Sequence, residues 1–260
     1  MTIFKVNKPS NNFHFATKKV FLGFKNNWMR EVLALALFTK VADATFVGRR
    51  SDRLGTLVFK DVLSNKIVAN KHIERENADD YKQLMDELLE KGFIIQGAFF
   101  DGKRGVAKVF GDIPVQMCHF HQIAIVKRYL TSRPKLKASI DLLKICRKLT
   151  FLTQERFSDA LNIWQLKYKS FLDEKTLNVK TNRFTPTHAR LLAAHRSFKT
   201  NLPYLFTYKN YKEFKIPNTT NHLDGGVFSQ LKKLIKLHQG LAKKRKVKLI
   251  DEFLSSNNKN

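Results

Sequence analysis

Residues 94–102 read IIQGAFFDG, an almost unbroken apolar run that stops at Asp101-Gly102. A short run with no period of its own predicts a central strand covered on both faces. An acid placed directly after such a strand lies where open sheets put their ligand sites, beyond the carboxyl ends of the strands. Upstream stands the clearest helix in the chain. Asn77 is its N-cap, with Asp80 three residues on. Tyr81, Leu84, Met85, Leu88 and Leu89 keep one face, and Gly92 stops it. Further back, Leu57–Leu63 (LVFKDVL) and Lys66–Ile73 (KIVANKHI) flank Ser64-Asn65, a two-residue hairpin signal. The stretch from Val32 runs into a first strand that ends near Asp43 to Val47. Downstream, residues 114–119 (PVQMCH) read as another strand.

Three antiparallel strands, a helix and two buried strands are the order of a ribonuclease H-like mixed sheet, so the expected class is α/β. From Gln122 onward the pattern turns helical. Ile123, Val126, Tyr129 and Leu130 make one face before Pro134, and Leu136, Ile140, Leu143 and Leu149 make a second. Thr153 caps a third helix with Phe157, Leu161, Trp164 and Tyr168. Thr187 caps a fourth with Leu191, Ala194 and Phe198, ending before Pro203. The expected layout is a basic, poorly ordered arm over residues 1–31 and a first part of the core over 32–121. An all-helical insertion over 122–215 follows, and then a basic helical part over 216–260 that completes the core. No internal repeat is visible.

The 260 residues carry 48 Lys and Arg against 22 Asp and Glu, a net charge of +26. With 43% apolar residues the chain can bury a core, so a disordered basic tail is excluded and a polyanion partner, most simply nucleic acid, is implied. Two cysteines, Cys118 and Cys146, exclude a disulfide scaffold and suit a reducing compartment. The longest apolar run, Val32 to Phe38, is far short of the ~20 residues of a membrane span, so no membrane partner is expected.

Asp43 in DATFVGRR, taken alone, reads as a strand-end aspartate, and Asp101 as an aspartate-glycine turn. In a ribonuclease H-like topology their strands are neighbours and the two carboxylates converge. Clustered carboxylates repel unless a cation joins them, and Mg²⁺ or Mn²⁺ suits oxygen ligands that leave room for waters and a phosphate. A pair of such ions about 3.5–4 Å apart would activate an attacking hydroxyl and stabilise the leaving oxygen of a phosphodiester. Asp224, in NTTNHLDGGVF, is the candidate third acid, or else a helix N-terminal aspartate. Cys118 and His121 form C-x-x-H. Structural zinc takes four ligands, so they read as a buried thiol and a hydrogen-bonded histidine, or as residues ordering the active-site end of the sheet. Arg49, Arg50, Lys103 and Arg104 follow the two aspartates. Lys232, Lys233, Lys236, Lys243, Lys244, Arg245 and Lys246 form a run without an acid. Both sets are candidates for holding DNA phosphates, or are solvated surface.

DATFVGRR, FFDGKRG with QMCHFHQ, and NTTNHLDGGVFSQLK with HQGL, in this order, resemble the Mutator-like insertion-sequence transposases. These are DDE enzymes with a ribonuclease H-like core. The first two acids stand 58 positions apart and the last two 123. The resemblance covers residues 40–254 and implies that Asp43, Asp101 and Asp224 hold Mg²⁺ (or Mn²⁺). It also implies that Cys118 and His121 match the family's C-x-x-H. The implied activity is cleavage and strand transfer at element ends on double-stranded DNA, by a homo-oligomer in the cytoplasm on the chromosome. Two departures stand out. The third acid is usually Glu, and residues 1–39 show no zinc ribbon or helix-turn-helix. They feed an alternative expectation, a truncated, catalytically inactive DNA-binding relative. A nuclease acting on RNA–DNA hybrids fits the core but leaves the helical insertion unexplained.

Overall fold

Strands β1 (Leu37–Val47), β2 (Leu54–Asp61) and β3 (Ile67–Ile73) form an antiparallel meander in which Asp43 lies opposite Val58 and Val58 opposite Asn70. The computed structural model describes residues 37–48, 53–219 and 222–258. The basic arm expected over residues 1–31 lies outside them, as do Arg49 and Arg50. All eight residues of β2 are buried, because that strand is covered on both faces. The turn that follows it is wider than the two residues expected. Asp61 N donates to Lys66 O at 2.9 Å, and Ser64 N donates to Asp61 Oδ2 at 2.7 Å. The aspartate side chain builds the turn, with Asn65 at φ +58°.

Helix α1 (Ala78–Glu90) starts as its cap requires, Asn77 Oδ1 accepting from Asp80 N at 2.9 Å, and stops at Gly92, φ +81°. β4 (Ile94–Phe100) follows, then the short α2 (Val106–Val109) and β5 (Val115–Met117), which runs parallel to β4. The sheet order is β3-β2-β1-β4-β5.

The helical region comprises α3 (His119–Leu130), α4 (Lys137–Arg147), α5 (Gln154–Lys167), α6 (Lys169–Leu172), α7 (Ala189–Leu205) and α8 (Thr207–Asn210). Thr153 caps α5, its Oγ1 accepting from Arg156 N. The region is not all helical. Lys175–Asn178 (β6) and Arg183–Pro186 (β7) pair as an exposed antiparallel hairpin. Thr187 belongs to the base of that hairpin, where its N donates to Glu174 O at 2.9 Å, and so does not cap α7. Nor does α7 end before Pro203. Burial of Leu202 and Leu205 carries its last turn through the proline. The joint between α7 and α8 covers the β5 edge of the sheet. Thr207 Oγ1 donates to Val115 O at 2.7 Å, and Gln116 Nε2 donates to Leu205 O at 3.0 Å.

After a 3-10 turn at Lys212–Phe214, a wide π-helical segment (His222–Phe228) leads into α9 (Ser229–Leu237) and α10 (Lys243–Ser256). Leu223, Val227, Phe228, Leu231, Ile235, Ile250 and Leu254 pack on the sheet face formed by Val58 and Phe99. The opposite face, with Ala42, Leu57 and Phe59, packs on Tyr81, Leu84 and Leu88 of α1. Helices on both faces of a mixed sheet make this an α/β architecture. The rim strand β3 has a further partner. Ile67 N donates to Asn258 Oδ1 at 2.7 Å, and Asn258 Nδ2 donates to Ile67 O at 2.8 Å. Among the described residues, no helix is long and apolar enough to cross a membrane.

Candidate functional site

Alternation along the strands decides which way each acid faces. Asp43 lies directly opposite Val58, and opposed residues of an antiparallel pair share a face. Val58 belongs to the cluster under the C-terminal helices, whereas Ala42 lines the α1 side. Asp43 is therefore on the face that the C-terminal segment covers, only 4% exposed, with its Oδ1 accepting from Ala44 N at 2.8 Å. On β4 the parity is the same. Phe99 faces the C-terminal helices, Phe100 faces α1, and Asp101 is the first residue past the strand.

Beyond Phe100 the chain turns sharply. Asp101 Oδ1 accepts from Lys103 N at 2.8 Å, and Gly102 sits at φ +96°. A Cβ on Gly102 would lie 2.2 Å from Met117 Cε, so the turn needs glycine for space as well as for its left-handed backbone.

The parallel ladder continues one step past β5. Cys118 N donates to Phe100 O at 2.9 Å, which sets the buried Cys118 beside Asp101. The two histidines that follow divide between two tasks. His119 is buried, its Nε2 donating to Leu205 O at 2.6 Å and its ring meeting Tyr208 edge-on at 5.4 Å. It ties the sheet to the helical region, and burial lowers its pKa. His121 pairs with Cys118 instead. A hydrogen bond with Cys118 raises its pKa against the opposing effect of burial, the charges of Asp43 and Asp101 add to the rise, and it reaches about 9.

A further acid, Glu76, joins the cluster from the loop between β3 and α1. Its Oε1 accepts from Tyr81 Oη at 2.7 Å, and its Oε2 lies 3.8 Å from Lys103 Nζ. Burial raises its pKa and Asp101 raises it further, while Tyr81, Lys103 and His121 oppose the rise. The Tyr81 phenol is pushed up by burial, by Glu76 and by both aspartates. Sequence patterning alone does not single out Glu76. Its only signal was an acid between a strand end and a helix cap. The result is an electrostatically coupled cluster of Asp43, Glu76, Asp101, His121 and Lys103. The charge of Asp101 raises the pKa of Glu76, Tyr81 and His121 alike, and that of Asp43 raises the last two. Among the described residues, no three His, Cys, Asp or Glu side chains form a ready-made metal cage.

Asp224 lies on the π-helical segment between the buried Leu223 and the exposed Gly225, and its side chain is outside the described atoms. The segment itself packs, through Leu223 and Val227, into the cluster that holds Phe99 and Cys118. A π-helical turn widens the helix and recurs at functional sites.

The candidate phosphate-holding residues differ in placement. Lys232, Lys233 and Lys236 are exposed on α9, opposite the buried Leu231 and Ile235, and Lys244 and Arg245 are exposed on α10. Lys243 Nζ pairs with Glu74 Oε1 at 3.2 Å. Lys103 leans on Glu76, and Arg104 is exposed. Lys246 departs from the expectation. It is 3% exposed, on the same stripe of α10 as Ile250 and Leu254, and is not offered to solvent. Compared with known proteins, the chain matches no family model and no curated protein.

Proposed function

We propose that the chain is the catalytic core of a metal-dependent phosphoryl-transfer enzyme of the DDE transposase kind, with a ribonuclease H-like fold, acting on double-stranded DNA. The observation that carries this reading is the shared placement of Asp43 and Asp101. The charges of both raise the pKa of His121, Asp43 lies on the sheet face covered by the C-terminal segment, and Asp101 follows Phe99 of that face by two residues. The strand order and the parallel pairing of β4 with β5 support it.

The donor chemistry fits Mg²⁺ or Mn²⁺. These ions take one or two carboxylates and keep other positions for water and phosphate, so a full protein cage is not required. Asp43 and Asp101 would hold the ion, with Asp224 as the third ligand. When bound, it supplies Lewis-acid stabilisation of charge on the phosphate and its leaving oxygen. The protein's own groups set the stage. The Lys103 amide orients the Asp101 carboxylate, and Gly102 lets the turn close over Met117. The charges of both acids raise the pKa of His121. Exposed cations on α9 and α10 would hold the DNA backbone, and such a protein would reside on the chromosome and act as an oligomer there.

The test is Mn²⁺ calorimetry together with cleavage of a labelled DNA duplex, on wild type, Asp43→Asn, Asp101→Asn and Asp224→Asn. The expected result is saturable binding in the wild type, weakened in each variant, with cleavage abolished and DNA affinity retained. A folded wild type that binds no Mn²⁺ with or without DNA overturns the reading. It would favour a DNA-binding relative without catalysis. Cleavage confined to an RNA–DNA hybrid would point to a hybrid-directed nuclease instead.

A further inference from the structure

The β6–β7 hairpin exposes what a surface normally hides. Leu177 and Phe184 are register partners, so they share one face, yet they are 43% and 69% exposed. At the tip Val179 is 88% exposed. A paired apolar face on a ribbon whose strand residues are all exposed among the described residues indicates a binding surface.

The ribbon is held firmly for its size. An isolated two-stranded hairpin is marginal in water, but here the base is anchored. Phe171 stacks on His188 at 3.7 Å, and Thr176 Oγ1 and Thr187 Oγ1 lie 2.8 Å apart. The tip is ordered by Asn178, whose Oδ1 accepts from Lys180 N at 3.0 Å and whose O accepts from Thr181 N at 3.2 Å.

Charge selects the occupant. Residues 175–187 hold Lys175, Lys180 and Arg183 and no acid. The nearest carboxylate, Glu174, is engaged with His188 Nε2 at 2.9 Å. A second copy of this chain would bring cations against cations, whereas a phosphate backbone would neutralise them. Bases stacked inside a duplex cannot reach an exposed ring face, but unpaired bases can, and every base has a π-face to offer.

We propose that residues 175–186 form a nucleic-acid-binding arm for unpaired nucleotides. Phe184, flanked by Leu177, packs on a base, while Lys175, Lys180 and Arg183 hold the adjoining phosphates. The arm needs no metal, so this proposal stands or falls apart from the metal-site reading.

The experiment is fluorescence anisotropy in EDTA with a labelled single-stranded oligonucleotide and the matching duplex. Phe184→Ala is expected to weaken single-strand binding about tenfold and leave duplex binding unchanged. Replacing Lys175, Lys180 and Arg183 by Ala should lower the slope of log affinity against log salt by about 2, at ~0.7 per neutralised phosphate. These side chains are at the surface, so circular dichroism and melting should match wild type. Wild-type single-strand affinity in Phe184→Ala overturns the proposal. If Phe184→Ala instead dissolves a sedimenting dimer while single-strand affinity holds, the ribbon is a self-association element, which overturns it equally.

Discussion

Tyr81 Oη donates to Glu76 Oε1 at 2.7 Å from a position only 1% exposed, so a loop carboxylate is tethered to the hydrophobic core. The other oxygen of Glu76 faces Lys103, whose backbone amide in turn binds Asp101. One chain of contacts thus runs from the core under α1 to the candidate metal ligand.

Glu76→Gln keeps an acceptor for Tyr81 but removes the charge that faces Lys103. Metal-dependent cleavage is expected to fall about tenfold, the size typical for groups that orient ligands, with an unchanged far-ultraviolet spectrum. Glu76→Ala additionally strands the buried phenol and should cost about 1–3 kcal/mol in urea unfolding. Wild-type cleavage in Glu76→Gln would remove Glu76 from the site.

Gly102→Ala puts a methyl group against Met117 at a left-handed φ, and a loss of about 1–3 kcal/mol is expected. Gly111→Ala is the control. Its φ of +55° is also left-handed, but no atom lies within 4 Å of the added carbon, so the loss should be smaller. Equal urea midpoints for the two variants would refute the steric account.

His195 gives a pH dependence that can be isolated. Burial, with Lys199 adding to it, lowers its pKa to about 4, and its ring lies 5.0 Å from that of Trp164. Above pH ~6.5 the folded and unfolded states are both neutral there, and the group contributes no slope. Between ~6.5 and about 4 the unfolded chain binds a proton that the folded one refuses. Stability therefore falls with pH by at most ~1.4 kcal/mol per unit, and levels off below that window. Chemical denaturation of His195→Gln across this range should show a shallower fall than wild type. Parallel curves would contradict the assignment.

Cys146 is fully buried, and burial pushes its thiol up to about 12. Ellman's reagent at pH 8 should leave it unmodified in the folded protein and titrate it in denaturant. Rapid native labelling, mapped by mass spectrometry, would count against the packing of α4.

Much of the framework was legible because it rests on local rules. Asn77, Gly92 and Thr153 announce their helix ends by side-chain chemistry, and the run 94–100 announces a strand covered on both faces. The exposed hairpin was hidden because its four-residue strands bury nothing and carry no period to read. Glu76 was hidden because its role comes from Tyr81 and Lys103, one on a helix and one on a distant loop. Lys246 misled for the opposite reason. Lys243, Lys244 and Arg245 before it and Lys248 after it are exposed cations, while its neighbours on the helix stripe are Ile250 and Leu254 in the core.

The clamp of Asn258 on Ile67 joins residues 191 positions apart. A ribosome delivers them roughly 10–40 s apart at about 5–20 residues per second. For that interval the rim of β3 lacks its two-point partner, and Val58 and Phe99 await the helices that cover them. The α1 face can mature while translation continues, but the face that bears Asp43 is finished only after residues 222–258 have emerged. Assembly of the cluster around Asp43 is thereby a late event in the life of each nascent chain.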